Sequence, residues 1–220
     1  MAGPSFVASL TALGAATEGY DARRQPVSEL ALGPRGWIQR ANFIVTGLLY
    51  IGTAAGLSRA PERVVGSRAS PLLLAAAGLG LVGSGVFVTD AAEELIARPA
   101  NGIGPRPSRV GMLHNLCAIP VFVGIPAAAS ASARAFTQLD ERRWAGYSGG
   151  SALVMALTFG LSSAAFGQAR VLAARAGVLQ RASIGAGFGW VTAISLRARR
   201  SHLRRRSRPA RARRGAGQRR

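Results

Sequence analysis

Lysine is missing from this chain, and acids are scarce. Its 28 basic residues are all arginine, set against nine Asp and Glu, two histidines and a single cysteine. One cysteine excludes an internal disulfide and any cysteine-based metal cluster. Cys117 lies in an apolar segment, where a small buried hydrophobe is the economical reading. The membrane-length part of the chain holds only one histidine, His114. A catalytic zinc takes three protein ligands, often His-rich, so no metal site and no cofactor is expected. Also missing are G-x-S-x-G, a P-loop, H-E-x-x-H and a dinucleotide fingerprint, and with them the commonest catalytic signatures.

Charge is missing from long stretches as well. Five apolar runs each approach the roughly 20 residues that cross about 30 Å of hydrocarbon as helix. They are Trp37 to Leu57, Pro71 to Val88, Val110 to Ala133, Trp144 to Gly167 and Val178 to Leu196. Arg40, in the first turn of the first run, is expected to snorkel outward. Pro120 and Pro126 predict a kink in the third. Trp144 and Tyr147 open the fourth as interfacial anchors. Gln180 and Arg181 must sit near one interface. A shorter patch, Pro4 to Thr17, reaches only about 21 Å as helix. It reads as a shortened first span, with an interfacial helix as the alternative; no basic residue precedes it, which disfavours a signal-peptide core. The fold class is therefore all-α: a polytopic transmembrane bundle of six helices, the first one short, over residues 1–196.

What remains is a disordered, Arg-rich tail, residues 197–220, with 12 of the 28 arginines and no acid. The rest of the chain has 16 arginines against nine acids, a net charge of +7. The positive-inside rule puts this tail in the cytoplasm. The connections at 59–69 and 134–143 are then cytoplasmic, and those at 18–36, 89–109 and 168–177 face outward. Arginine without lysine, beside abundant Ala and Gly, points to a GC-rich bacterial genome, and so to the inner membrane of a bacterial cell. The partners expected are the lipid bilayer and, for the tail, anionic lipid headgroups. Without interleaved aromatics the tail shows no base stacking, and no specific nucleic acid is expected. Small residues recur four apart at Gly52 and Gly56, Gly146 and Gly150, Gly185 and Gly189, and Ala76, Gly80 and Ser84. Such spacing lets helices approach closely, although about three or four glycine pairs arise by chance in this composition.

The segment "YDARRQPVSELALGPRGWIQRANF", followed by Gly56-Leu57, by "GVFVTD" ending at Asp90, and by "MLHN" around His114, resembles the bacterial membrane family catalogued as domain of unknown function 998. Tyr20-Asp21, Pro26-x-Ser28-Glu29-Leu30 and Gly36-Trp37 carry the most specific part. The resemblance covers residues 15 to 196 and implies a six-helix integral membrane protein; it brings no established activity. The chain departs from the family in its short first helix and in Val88 and Ala91, which flank Thr89-Asp90 where prolines are usual.

Two readings of the polar residues stand side by side. In one, Ser28 or Asp21 caps a short helix, Gly33-Pro34 breaks the chain before the first full span, and His114 makes a structural hydrogen bond to Asn115 or a nearby carbonyl. In the other, Glu29, Asp90 and His114, with Ser28, gather near the outer ends of three helices. His114 lies about 7 Å deep, where an ionisable group normally faces a cavity or a partner. Carboxylate and imidazole together make an acid–base pair. The first reading gives a structural, accessory or small-molecule-binding bundle. The second gives an intramembrane enzyme or transporter with an outward pocket.

Overall fold

The computed structural model describes residues 2–91, 107–166 and 170–206. Helix α1 spans Ala2–Ala16 and buries Phe6, Leu10 and Leu13, one stripe at helical spacing. A 3-10 helix, Val27–Ala31, follows behind Pro26. Helix α2 runs Gly36–Leu57 and α3 is a single turn, Glu62–Val65. Next come α4, Ala69–Val86, and α5, Arg109–Ile119. A π turn, Pro120–Gly124, joins α5 to α6, Ile125–Gln138. Helices α7, Arg142–Phe166, α8, Arg170–Ala173, and α9, Ala176–Arg206, complete the order.

The long helices close into a ring. α1 packs on α2, α2 on α4, α4 on the α5–α6 run, α6 on α7, α7 on α9, and α9 back on α1. On α2, Phe43, Thr46, Tyr50 and Ala54 face the ring while Val45, Leu48 and Leu49 lie on the outer surface. Leu72 and Leu79 of α4 and Leu153, Leu157 and Leu161 of α7 are exposed in the same way. A continuous apolar exterior over a packed interior is the pattern of a bundle solvated by lipid. Among the described residues, three helical runs are long and apolar enough to cross a membrane: Ala69–Val86, Arg109–Gln138 and Arg142–Phe166. The kink expected from the prolines takes the form of the π turn. Pro120 has no N–H to give and crowds the preceding turn, so the ladder slips one residue and continues.

Polar side chains stitch the ring together. Ser70 Oγ lies 2.8 Å from Ser132 Oγ, Ser132 donates to the Val65 carbonyl at 2.9 Å, and the Trp190 indole donates to Ser148 Oγ at 3.0 Å. Two sequence expectations need correction. Gly52, Gly56, Gly146, Gly150, Gly185 and Gly189 have open space where a Cβ would stand, so those pairs make no close interface. The close approach outside the expected sets is Gly47 against Gly78, where a Cβ on either would press the other's carbonyl oxygen, while Gly80 of the expected Ala76, Gly80 and Ser84 set does pack closely, against the Cys117 carbonyl. Arg40 is exposed, as expected of a side chain that snorkels outward, and its Nε also donates to the Gly85 carbonyl at 3.0 Å, which satisfies the end of α4.

The second correction concerns the boundary at residue 196. Helix α9 continues to Arg206, so the first part of the basic segment is helical; residues 207–220 lie outside the described residues. Arginine propagates helix well and its charge suits a helix C-terminus. Arg197 is also pinned, its guanidinium 4.7 Å above the Trp144 ring centre and 3.1 Å from Glu141 Oε1. The connections sort to two ends of the ring. Arg197 donates to the Arg63 carbonyl at 2.7 Å, which gathers the 59–68 turn, the start of α7 and the basic end of α9. At the other end Gly177 N–H donates to the Arg23 carbonyl at 2.9 Å, which joins the 17–35 loop to the start of α9.

Candidate functional site

The 17–35 loop is a plug, and its sequence explains why. Pro26 holds an extended conformation that turns the chain inward, and Val27, Leu30 and Ala31 bury themselves in the end of the ring. Gly33 sits at φ +72°, and a Cβ on Gly36 would collide with the Ala31 carbonyl, so both glycines are needed where the plug turns into α2. Three interactions hold it to the ring and a fourth braces it from within. Gln180 Oε1 accepts from Val27 N–H at 2.8 Å, and Arg181 Nη1 donates to the Gln25 carbonyl at 3.1 Å. Tyr20 donates its hydroxyl to the Pro26 carbonyl at 3.1 Å and accepts from Arg181. Burial pushes the Tyr20 phenol above its ordinary pKa, against the lowering influence of Arg181. No side chain caps the 3-10 helix. Ser28 therefore has no capping role there, while Asp21 Oδ1 accepts from Arg23 N–H at 2.9 Å one turn earlier.

Beneath the plug lies a cavity of about 450 Å³ inside the ring. Phe6, Phe43, Phe122, Phe159 and Phe188 form much of its wall, and Ser28, Ser84, His114, Asn115, Ser163 and Gln180 bring polar atoms to it. Such a volume and such an apolar lining with a few polar groups suit a small ligand. Phe122 and Phe159 stack at 4.2 Å and close the wall between the π turn and α7. Beyond that stack the wall opens. Asn115, Ile119 and Val123 of the α5 and π-turn wall and Ser163 of α7 line the cavity and are also exposed on the outer surface. The opening therefore lies on the outer surface of the ring.

His114 is 4% exposed. Its Nδ1 lies 2.9 Å from the Phe87 carbonyl, an atom that can only accept, so Nδ1 carries the hydrogen. In the neutral ring Nε2 is then an acceptor. The Phe43 ring meets the imidazole edge-on at 6.2 Å and fixes its plane. A neutral imidazole with a fixed tautomer can accept a hydrogen bond from a ligand hydroxyl or amine in the cavity.

Ser28 shares this cavity with His114; Glu29 and Asp90 do not line it. Glu29 lines a neighbouring space of about 360 Å³ with Asp21, Arg24 and Gln25, on the other side of the plug. Asp90 works as a clamp. Oδ2 accepts from Ser108 N–H at 2.9 Å, Oδ1 from Ser108 Oγ–H at 2.6 Å, and Ser108 Oγ accepts from Gly111 N–H at 2.9 Å. That arrangement ties the end of α4 to the first turn of α5 and sets a negative charge at a helix N-terminus. The other acids of the same connection, Glu93 and Glu94, lie outside the described residues. Among the described residues no group of three or more His, Cys, Asp or Glu is placed to hold a metal ion.

Sequence reasoning missed Gln180 as the residue that carries the plug, and Tyr20 with Arg181 as its latch. The signal available was a Gln-Arg pair at the head of an otherwise apolar run. The family described as "Protein of unknown function (DUF998)" matches residues 1–197. No curated protein and no solved structure matches the chain.

Proposed function

The chain belongs to the DUF998 family, and we propose that it is an integral membrane protein whose bundle binds a small amphipathic molecule taken from the bilayer. One observation carries the reading: the interior cavity opens on the outer surface of the ring through Asn115, Ile119 and Val123, and His114, its Nδ1 bonded to the Phe87 carbonyl, lines it within an aromatic wall. The apolar body of a ligand would lie among the phenylalanines. A hydroxyl or amine would meet His114, with Ser28 and Asn115 as further polar contacts. The positive-inside rule supports a cytoplasmic basic end and an outward plug, in the inner membrane of a bacterium.

The test is the small-molecule content of the purified full chain. Wild type is compared with Ala118→Phe, which fills the cavity, and His114→Asn, which keeps a donor for the Phe87 carbonyl but removes Nε2. The expected result is a compound enriched about tenfold or more in wild type over Ala118→Phe and weakened in His114→Asn, in line with the roughly 1.4 kcal/mol that a tenfold change represents. An identical complement in wild type and Ala118→Phe sinks the binding reading and leaves a scaffold. His114 also supports a second reading, an intramembrane enzyme or transporter in which its Nε2 takes a proton from the bound molecule. That reading requires turnover or transport, lost in His114→Asn with membrane abundance unchanged.

A further inference from the structure

At the end of the ring away from the plug, α9 rises past the apolar section with Arg197, Arg200 and Arg204 on one face, spaced three and four residues apart. Arg63 of α3, Glu141 and Trp144 stand opposite, and together they enclose a groove of about 1000 Å³. Its floor is apolar, made by Val64, Ala193 and Leu196. Its one carboxylate is already engaged: Glu141 receives the Arg197 guanidinium at 3.1 Å and 3.4 Å on its two oxygens. Arg197 is held further by the Trp144 and Phe136 rings, 4.7 and 5.1 Å from its guanidinium carbon, so one rim of the groove is fixed. Among the described residues, four guanidinium groups against one carboxylate leave the groove with a net charge of +3. Arginine forks match the oxygens of phosphate, and the apolar floor continues toward the lipid-facing part of α9.

We propose that this groove is a phosphate site, with Arg63, Arg200 and Arg204 around the phosphate oxygens and Val64, Ala193 and Leu196 under an attached chain. It is distinct from the plugged cavity and from the arginines beyond Arg206. The phosphate can be presented by an anionic lipid headgroup or by a soluble phosphate.

The experiment titrates the full chain in detergent with dioctanoyl phosphatidylglycerol, with dioctanoylglycerol, which has the same chains and no phosphate, and with inorganic pyrophosphate. The variants are R63Q/R200Q in the groove and R59Q/R68Q, exposed arginines of the same end outside it. Each arginine near an anionic group is worth about a fivefold change in affinity, so R63Q/R200Q is expected to weaken phosphatidylglycerol binding about 25-fold. R59Q/R68Q is expected to keep wild-type binding, and dioctanoylglycerol to bind far more weakly. Should R63Q disturb the α3 turn, R200Q alone is expected to show about a fivefold loss. Phosphatidylglycerol binding unaffected by pyrophosphate identifies a lipid headgroup; pyrophosphate binding that R63Q/R200Q removes identifies a soluble phosphate. Equal losses in the two double variants, or equal binding of the two lipids, overturn the site in favour of diffuse attraction to a basic surface.

Discussion

Arg181, in the second turn of α9, donates to the hydroxyl of Tyr20 and lies 5.6 Å from the centre of its ring, so two residues 161 positions apart latch the plug onto the ring. The latch has a defined pH sense. Burial raises the Tyr20 pKa in the folded state above its ordinary value of 10.0. A raised pKa means that the folded state holds the proton more tightly than the unfolded chain. The contribution is fully present below about pH 10 and is lost as pH rises through the higher folded-state value. Wild-type thermal stability in detergent should therefore fall as pH rises above about 10, and Tyr20→Phe should lessen that fall. At pH 7 the same substitution removes a bond to the Pro26 carbonyl and a charge-assisted bond to Arg181, a loss of about 2 kcal/mol. For a chain of this size, that corresponds to a drop of about 4–8 °C in Tm. A Tm within about 1 °C of wild type would show that the plug does not depend on the latch.

Asp90 and Gly111 should be energetically coupled. A Cβ on Gly111 would strike the Asp90 carboxylate that clamps Ser108. Gly111→Ala alone is expected to destabilise by about 1–3 kcal/mol through overpacking. Asp90→Ala alone is expected to lose about 1–2 kcal/mol of capping energy. The double variant should be less destabilised than the two losses added, by at least about 0.5 kcal/mol. Strict additivity in a double-mutant cycle would place the carboxylate elsewhere and reopen its role at His114.

The helices were legible from the apolar runs because hydrocarbon thickness sets their length; α2 begins and ends within a residue of the run that starts at Trp37. The π turn was legible as a kink from Pro120. The inward faces were not. A helix apolar all round has no polar stripe to show its orientation: Leu72 of α4 is 74% exposed and Leu74, two residues on, is 2% exposed, with nothing in the residue type to tell them apart. Ser28 and Glu29 are adjacent in sequence yet line different spaces on the two sides of the plug, because a one-turn 3-10 helix sends neighbours in different directions. Asp90 and His114 could be read as near the same end; that Ser108 occupies the carboxylate depends on a turn whose path the residue types do not specify.

The glycines of α2 make a sharp contrast. Gly47 meets the backbone of α4 at Gly78, whereas Gly52 has nothing near its absent Cβ. Gly47→Ala should destabilise the bundle by about 1–3 kcal/mol, since two helix backbones must separate. Gly52→Ala should be neutral or stabilise by up to about 1 kcal/mol through better helix propensity. Thermal unfolding of the two variants in one detergent compares them directly. Equal effects would mean that α2 and α4 do not meet at Gly47 and Gly78.

The two ends of the ring must lie on opposite sides of the membrane for either functional reading to hold. Single cysteines at Ala22 in the plug loop and at Ser58 after α2, both exposed, report on them. Cys117 must first be removed, and Cys117→Ala is the choice because its sulfur packs tightly on Gly83 of α4 and a smaller side chain relieves that contact. In intact cells a membrane-impermeant thiol reagent is expected to label Ala22→Cys and to spare Ser58→Cys until the membrane is permeabilised. Labelling of Ser58→Cys alone would invert the topology and put the phosphate groove outside, where the inner-leaflet surface potential cannot feed it. Labelling of both from outside would mean that α2 does not cross, and a cavity reached from the hydrocarbon between α5 and α7 would lose its physical basis.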